Sequence, residues 1–213
     1  ALQELLLQKK GVKKHTFNGW NRSSEVLLLT MPAFRDALAE EVTGKKKVLK
    51  SGVRTIVSDF ETVMKIRTMQ ELLFVVHTQT DNNVLSTDPE TLAAQLAESD
   101  LMQILTETHK GDVSFCFRIG VSGTMPLEER SIFAKRVAAA IEGAFERNLI
   151  NSTSHYEVEL RLLQHREGGF VPLLKLYTLP DHRFDYRRYY VAASMKPTLA
   201  AGLIALAKPY LKE

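Results

Sequence analysis

Between Glu25 and Gln79 the chain switches repeatedly between strand-like and helix-like hydrophobic periods, and that alternation limits its fold more than any other feature. "EVLLLT" is a short apolar run bounded by polar residues, as in a buried strand. Pro32 then opens "AFRDALAEEV", where Phe34, Leu38 and Val42 recur at four-residue spacing and share one helix face. "KKVLK" and "VRTIVS" read as two short strands separated by Ser51-Gly52, a hairpin signal. Asp59 is placed to cap a helix over "FETVMKIRTM", with Phe60, Val63, Met64 and Arg67 along one stripe. "ELLFVVHTQ" returns to strand, completing the order β-α-β-β-α-β.

That order is the ferredoxin-like plan, here packed into residues 25–79. The polar, turn-rich "TDNNVLST" (80–87) marks an internal boundary. Beyond it Asp88-Pro89 starts a helix with N-cap and N1 signals together, and "DLMQILTET" supplies a second. "VSFCFRIGV" alternates Phe115, Phe117 and Ile119 as a strand does. Pro126 opens the longest helix, with Ile132, Phe133, Val137, Ile141 and Phe145 assigned to its apolar face. "YEVELRLLQ" and "FVPLLKLYTL" are strands joined through Glu167-Gly168-Gly169, a second hairpin. The fold class is therefore α/β (α+β) throughout. Ahead of all this, "ALQELLLQKKG" reads as a helix stopped at Gly11, and "VKKHTFNGWNRSS" as polar chain turning at Asn18-Gly19. Residues 1–24 accordingly read as an irregular lead-in or linker.

A composition of 45% hydrophobic and 25% charged residues in 213 excludes disordered, collagen-like and disulfide-scaffold classes. No apolar run approaches the roughly 20 residues that a membrane span needs, and the N-terminus lacks signal-peptide order. The single cysteine, Cys116, lies in an alternating apolar strand and reads as an inert core thiol. Disulfide-free usage fits a reducing cytoplasm.

Catalytic chemistry is hard to find. The six histidines (15, 77, 109, 155, 165 and 182) show neither H-x-x-x-H nor Cys/His pairing, so no metal site is expected. "IGVSGT" (119–124) lacks the third glycine and the lysine of phosphate loops and reads as a strand-end turn. Glu128-Glu129 lies on a polar helix face. Nothing activates a nucleophile or a water.

Positive charge is more informative. The net charge is only +3, but "GKKKVLKSGVR" (44–54) carries five positive charges and no negative one. In "RFDYRRYY" Arg183, Arg187 and Arg188 can fork onto phosphates while Tyr186, Tyr189 and Tyr190 offer flat faces to unpaired bases. The same octet also fits a sheet edge with Asp185 paired to an arginine and the tyrosines packed on the core. Lys45, Lys46 and Lys47 fit phosphate contacts, and equally a helix C-terminus whose dipole they complement. Lys135 and Arg136, with Arg130 one to two turns earlier, form a third basic strip, and Lys110 is a further candidate.

Taken in order, the β-α-β-β-α-β unit, the helix pair, "VSFCFRIGV", "FAKRVAAAI", the hairpin and "FDYRRYY" resemble the N-terminal half of THUMP-domain RNA methyltransferases. "VAASMKPTLAAGLIALAKPYL" (191–211) resembles the helix linking that half to a Rossmann-like methyltransferase domain. Tyr186-Arg187, Ala193-Ser194 and Pro197-Thr198 stand where the family carries an arginine-glycine-tyrosine-arginine run, an alanine-serine and a proline before a small-residue helix. Asp185 replaces the family's glycine and Lys196 its asparagine.

The resemblance implies a lead-in (1–24), a ferredoxin-like domain (25–79), a THUMP domain (88–190) and a linking helix (191–213) to a methyltransferase domain outside this chain. It implies a partner RNA, tRNA or ribosomal RNA, with one base presented for N-methylation from S-adenosylmethionine. The cofactor is expected for the full-length protein and not for this chain, where Ser194, Pro197 and Thr198 would line part of its pocket. The alternatives are a non-catalytic THUMP adaptor that delivers tRNA to a separate enzyme, a thiouridine synthase fragment, and a ferredoxin-like sensory or assembly domain.

Overall fold

The computed structural model describes residues 15–20, 22–111, 114–186, 189 and 194–210. In chain order they form β1 (Thr16–Phe17), β2 (Ser24–Leu29), α1 (Arg35–Glu41), β3 (Lys46–Leu49), β4 (Gly52–Val57), α2 (Phe60–Val63) and β5 (Glu71–Val75). There follow α3 (Pro89–Ala97), α4 (Leu101–Thr108), β6 (His109–Lys110), β7 (Phe115–Ser122) and α5 (Leu127–Ala144). β8 (Leu149–Asn151), β9 (Val158–Gln164), β10 (Phe170–Leu176) and α6 (Pro197–Ala207) complete them. Two compact units share these elements. The first takes Trp20–Val75, Leu173–Lys175 and Leu179–Glu213; the second takes Ala1–Gly19, Val76–Pro172 and Leu176–Thr178.

In the first unit the strands run β3-β4-β2-β5, all antiparallel, and Leu173 and Leu174 of β10 pair with Val75 and Phe74. β2 is apolar on both sides because both sides are buried. Val26 and Leu28 lie with Phe74 on one face, while Leu27 joins Leu73, Val75 and Leu173 on the other. The four-residue stripe on α1 behaves as its spacing requires, with Phe34, Leu38 and Val42 all buried. Each such side chain contributes about 1.5–3 kcal/mol by leaving water. Gly52 starts β4 against the Leu28 carbonyl, too close for any Cβ. Asp59 caps α2 by accepting from the Glu61 N–H at 2.9 Å.

That helix is shorter than its pattern. The stripe over "FETVMKIRTM" predicts ten helical residues, but α2 ends at Val63, and Arg67 is exposed. Beyond Val63 side chains from elsewhere bond the backbone of an irregular segment. Arg183 takes the Ile66 and Met69 carbonyls, Thr30 takes the Thr68 carbonyl, and Glu41 takes the Thr68 N–H. Ile66, Thr68 and Met69 are buried in this irregular path.

In the second unit β7 pairs in parallel with β8 on one side and β9 on the other, and β10 lies beside β9. Gly168 and Gly169 both sit at positive φ, 96° and 79°, in the β9–β10 turn. Asp88 caps α3 from both its side chain, accepting from Thr91 N–H at 3.0 Å, and the following Pro89. On α5 the buried face is Val137, Ala138 and Ile141, followed by Phe145, and Phe133 stacks on Phe170 at 4.8 Å. Ile132 is not part of that face: it is 63% exposed.

The lead-in also differs from expectation at its described end. Thr16–Phe17 is a strand paired with His109–Lys110, and His15 is buried. In the first unit Trp20 is buried, stacking on Phe74 at 4.3 Å. The expected helix ending at Gly11 lies outside the described residues. Among those described, no helix is long and apolar enough to cross a membrane.

Candidate nucleic-acid interface

The apolar helix near the end of the chain is held by its smallest residue. Pro197 supplies the first turn of α6. Gly202 lies against Phe34, where a Cβ would come within 2.5 Å of the ring. Because α6 packs this closely beside α1, the two helices wall a cleft of about 430 Å³ within the first unit. Pro197 and Ile204 give it an apolar wall, and Glu40 and Arg67 give it charge of both signs. Phe184 and Tyr186 close one end, edge to face at 6.4 Å. The Arg67 guanidinium lies 5.6 Å from the Tyr186 ring centre, and that ring is 66% exposed.

Arg183 has a different role from the one its sequence neighbourhood suggests. Its side chain is only 5% exposed. One guanidinium nitrogen donates to the Ile66 carbonyl at 2.7 Å and the Met69 carbonyl at 2.8 Å. The other two bind Asp181 at 2.8 and 2.7 Å. The hydrogen bonds from Arg183 hold the Asp181 carboxyl below the usual carboxylate range against the opposing effect of burial. Arg183 is therefore a strut and not a phosphate ligand. Asp185, expected to pair with an arginine, lies 2.7 Å from His182 instead. Tyr189 is exposed. Arg187, Arg188 and Tyr190 lie outside the described residues.

The lysine cluster divides. Lys46 donates to the Ala39 and Val42 carbonyls, closing the C-terminus of α1 as its dipole favours. Lys45 and Lys47 are exposed beside it. In the second unit Lys110 is exposed on β6, and Lys135 and Arg136 on α5. Arg136 approaches Glu90 at 3.7 Å, both largely in water, a pairing worth little. Arg130 is withdrawn from that strip, since it donates to the Gly123 and Met125 carbonyls. The candidate basic residues are thus spread over both units. Ser194, Pro197 and Thr198 are half-buried around the start of α6, and of these Pro197 lines the cleft.

Some polar groups stayed hidden in the sequence. Glu157, buried, accepts from the His15 N–H at 2.6 Å and the Cys116 N–H at 3.2 Å. His109 bridges the Leu105 carbonyl and the Thr178 hydroxyl, and burial pushes its imidazole below the ordinary histidine value. Burial, then the Glu157 carboxylate, pushes the Cys116 thiol up, away from nucleophilic use. Arg67 falls on the predicted helix stripe, and no local signal marks it for the cleft. Glu157, Glu159 and Arg161 do leave one: in "YEVELRLLQ" they alternate on one face of a strand. Among the described residues no group of three or more His, Cys, Asp or Glu side chains is placed to hold a metal.

No protein-family model and no curated protein matches the chain. Solved structures do. TrmN from Thermus thermophilus matches with a TM-score of 0.60 at 21% identity, covering 86% of this chain and 54% of that one. A structure described as a predicted N6-adenine-specific DNA methylase from Listeria monocytogenes str. 4b F2365 matches at 0.57 and 16%, covering 94% and 50%. SMU.472 in complex with SAH matches at 0.59 and 15%, covering 87% and 49%. The fold is therefore a mixed α/β arrangement shared with these proteins. The chain spans about half the length of each.

Proposed function

We propose that this chain is the RNA-gripping part of an RNA base methyltransferase that uses S-adenosylmethionine. The observation that carries the reading is coverage: nearly all of this chain finds a counterpart in about half of each matched structure. On this reading residues 25–79 are the ferredoxin-like domain, 88–190 the THUMP domain and 191–213 the link to the catalytic domain. The β-α-β-β-α-β order with strands β3-β4-β2-β5 supports the first assignment. The exposed Tyr186 ring beside Arg67 supports a grip on unpaired bases, by stacking assisted by charge. Arg187 and Arg188 are the proposed phosphate contacts, with Lys45, Lys47, Lys110, Lys135 and Arg136 adding a diffuse positive field. The partner is tRNA or ribosomal RNA.

The chain itself carries no reaction on this reading. S-Adenosylmethionine would supply the methyl group in the rest of the protein. Ser194, just before α6, and Pro197 and Thr198, in its first turn, would line part of its pocket, and no step of chemistry is assigned to them.

Binding to tRNA and to a stem-loop RNA, with duplex DNA as control, is measured across a salt series for wild type and for Arg187→Ala/Arg188→Ala. Each lost phosphate contact lowers the slope of log K against log salt by about 0.7–0.9, so the double variant should lose roughly 1.4–1.8. Weak, equal binding to every polyanion, unchanged in the variant, would sink the reading.

A further inference from the structure

The second unit contains a polar cluster that the proposed RNA contacts do not use. Arg118 on β7 and Glu159 on β9 are register partners, and Arg161 follows Glu159 on the same face. Glu159 is almost wholly buried, with its side chain 4% exposed. It lies across Gly120, where a Cβ would sit 3.0 Å from its Oε1, so the close approach depends on the glycine. Three side chains converge on that carboxylate. Arg118 donates to Oε2 through Nε at 2.7 Å and through Nη2, and Tyr177 donates to the same oxygen at 3.0 Å. Arg161 binds Oε1 at 2.9 and 2.8 Å.

The effect is to hold two guanidinium groups and two aromatic rings in fixed positions. Arg118 also donates to the Tyr156 hydroxyl at 2.6 Å and the Tyr177 hydroxyl at 2.7 Å. Its guanidinium carbon lies 4.0 Å from the Tyr156 ring centre and 5.3 Å from that of Tyr177, and the rings meet edge to face at 4.9 Å. Despite these bonds the top of the cluster reaches solvent. Tyr177 is 40% exposed, and the Arg118 side chain 35%. Arg118 and Arg161 share the one carboxylate of Glu159. Burial, then the Glu159 carboxylate that accepts its hydrogen bond, raises the Tyr177 hydroxyl to about 12.

A core has no need of this arrangement, since apolar packing would stabilise a sheet face as well without the desolvation cost of buried charge. A preorganised arginine beside an exposed ring, Tyr177, with the half-buried Tyr156 edge-on to it, is instead what a single-stranded nucleic acid requires: a ring face for the base and fixed positive charge for the adjoining phosphate. We propose that Tyr177 and Tyr156, held by Arg118 and Glu159, form a second stacking platform for one unpaired RNA base. Glu159 is the positioning residue and never touches the ligand. The inference rests on the RNA-binding reading and adds a site to it.

The test is ultraviolet cross-linking of a short uridine-rich single-stranded RNA to the whole chain, with cross-linked peptides mapped by mass spectrometry. Affinities of Tyr177→Leu and Tyr177→Phe are measured beside it. Cross-links at Tyr156 or Tyr177 are expected with the single strand and not with a duplex of the same sequence. Tyr177→Leu should bind about tenfold more weakly, and Tyr177→Phe, which keeps the ring, within about twofold of wild type. RNA that binds yet cross-links only elsewhere, such as at Tyr186, would overturn the platform and leave the proposed function standing. Absence of any RNA binding would overturn both. Competition by an acidic peptide as effective as RNA, with Tyr177→Leu indistinguishable from wild type, would reduce the cluster to charge alone and overturn it. The wild-type cross-link map decides the matter even if the leucine variant does not fold.

Discussion

Replacing Arg183 by alanine separates a strut from an RNA ligand. The substitution removes two charge-assisted bonds to the carbonyls of Ile66 and Met69, residues that are themselves buried. An acceptor left buried without a donor costs about 1–3 kcal/mol, so the pair sets an upper range of roughly 2–6 kcal/mol. Asp181 is 45% exposed, so water reaches the vacated side and the lost ion pair adds little. We therefore expect a loss of about 3 kcal/mol, which for a chain of this size lowers the melting temperature by roughly 6–12 °C. Scanning calorimetry of wild type and variant measures it. The penalty also has a pH signature. Asp181 has a folded-state carboxyl below its unfolded value, so its contribution is present above about pH 4 and is lost as the pH falls through the folded value. The difference between variant and wild type should accordingly lose only its small ion-pair part below about pH 4, while the carbonyl part persists. An Arg183→Ala protein that melts with wild type while its RNA affinity drops tenfold would refute the reasoning and return Arg183 to the binding surface.

Gly202→Val should force the Phe34 ring aside and lift α6 from α1, at a cost of about 1–3 kcal/mol, with faster proteolysis near Pro197 as a second readout. An unchanged melting temperature and digestion pattern would mean that the helix is not held there. Cys116, buried with its thiol pushed up, should be inert to a thiol-specific disulfide reagent at neutral pH and react fully once the chain is unfolded. Rapid modification of the native protein would contradict its placement in the core.

How far the sequence alone reaches depends on how far apart the interacting groups lie. The β-α-β-β-α-β order, the caps at Asp59 and Asp88, the stripe of Phe34, Leu38 and Val42, and the Gly168-Gly169 turn were all legible. Each depends on neighbours within a turn or a strand pair, where side-chain period and backbone φ act directly. Tertiary structure decided the rest. α2 stops at Val63, and the chain beyond it is bonded by distant groups, Arg183 reaching the Ile66 and Met69 carbonyls across 117 and 114 residues. His15 is tied to Glu157 across 142 residues, and Arg118 to Glu159 across 41. The same fact settles the fate of each arginine. An arginine in a basic-aromatic run has the same local sequence whether it faces RNA or braces a loop, and only the carbonyls and carboxylates that folding brings within hydrogen-bonding distance distinguish the two. Arg183 met two carbonyls and was withdrawn, whereas Arg118 met a buried carboxylate and two tyrosines and was held, partly exposed, at the surface.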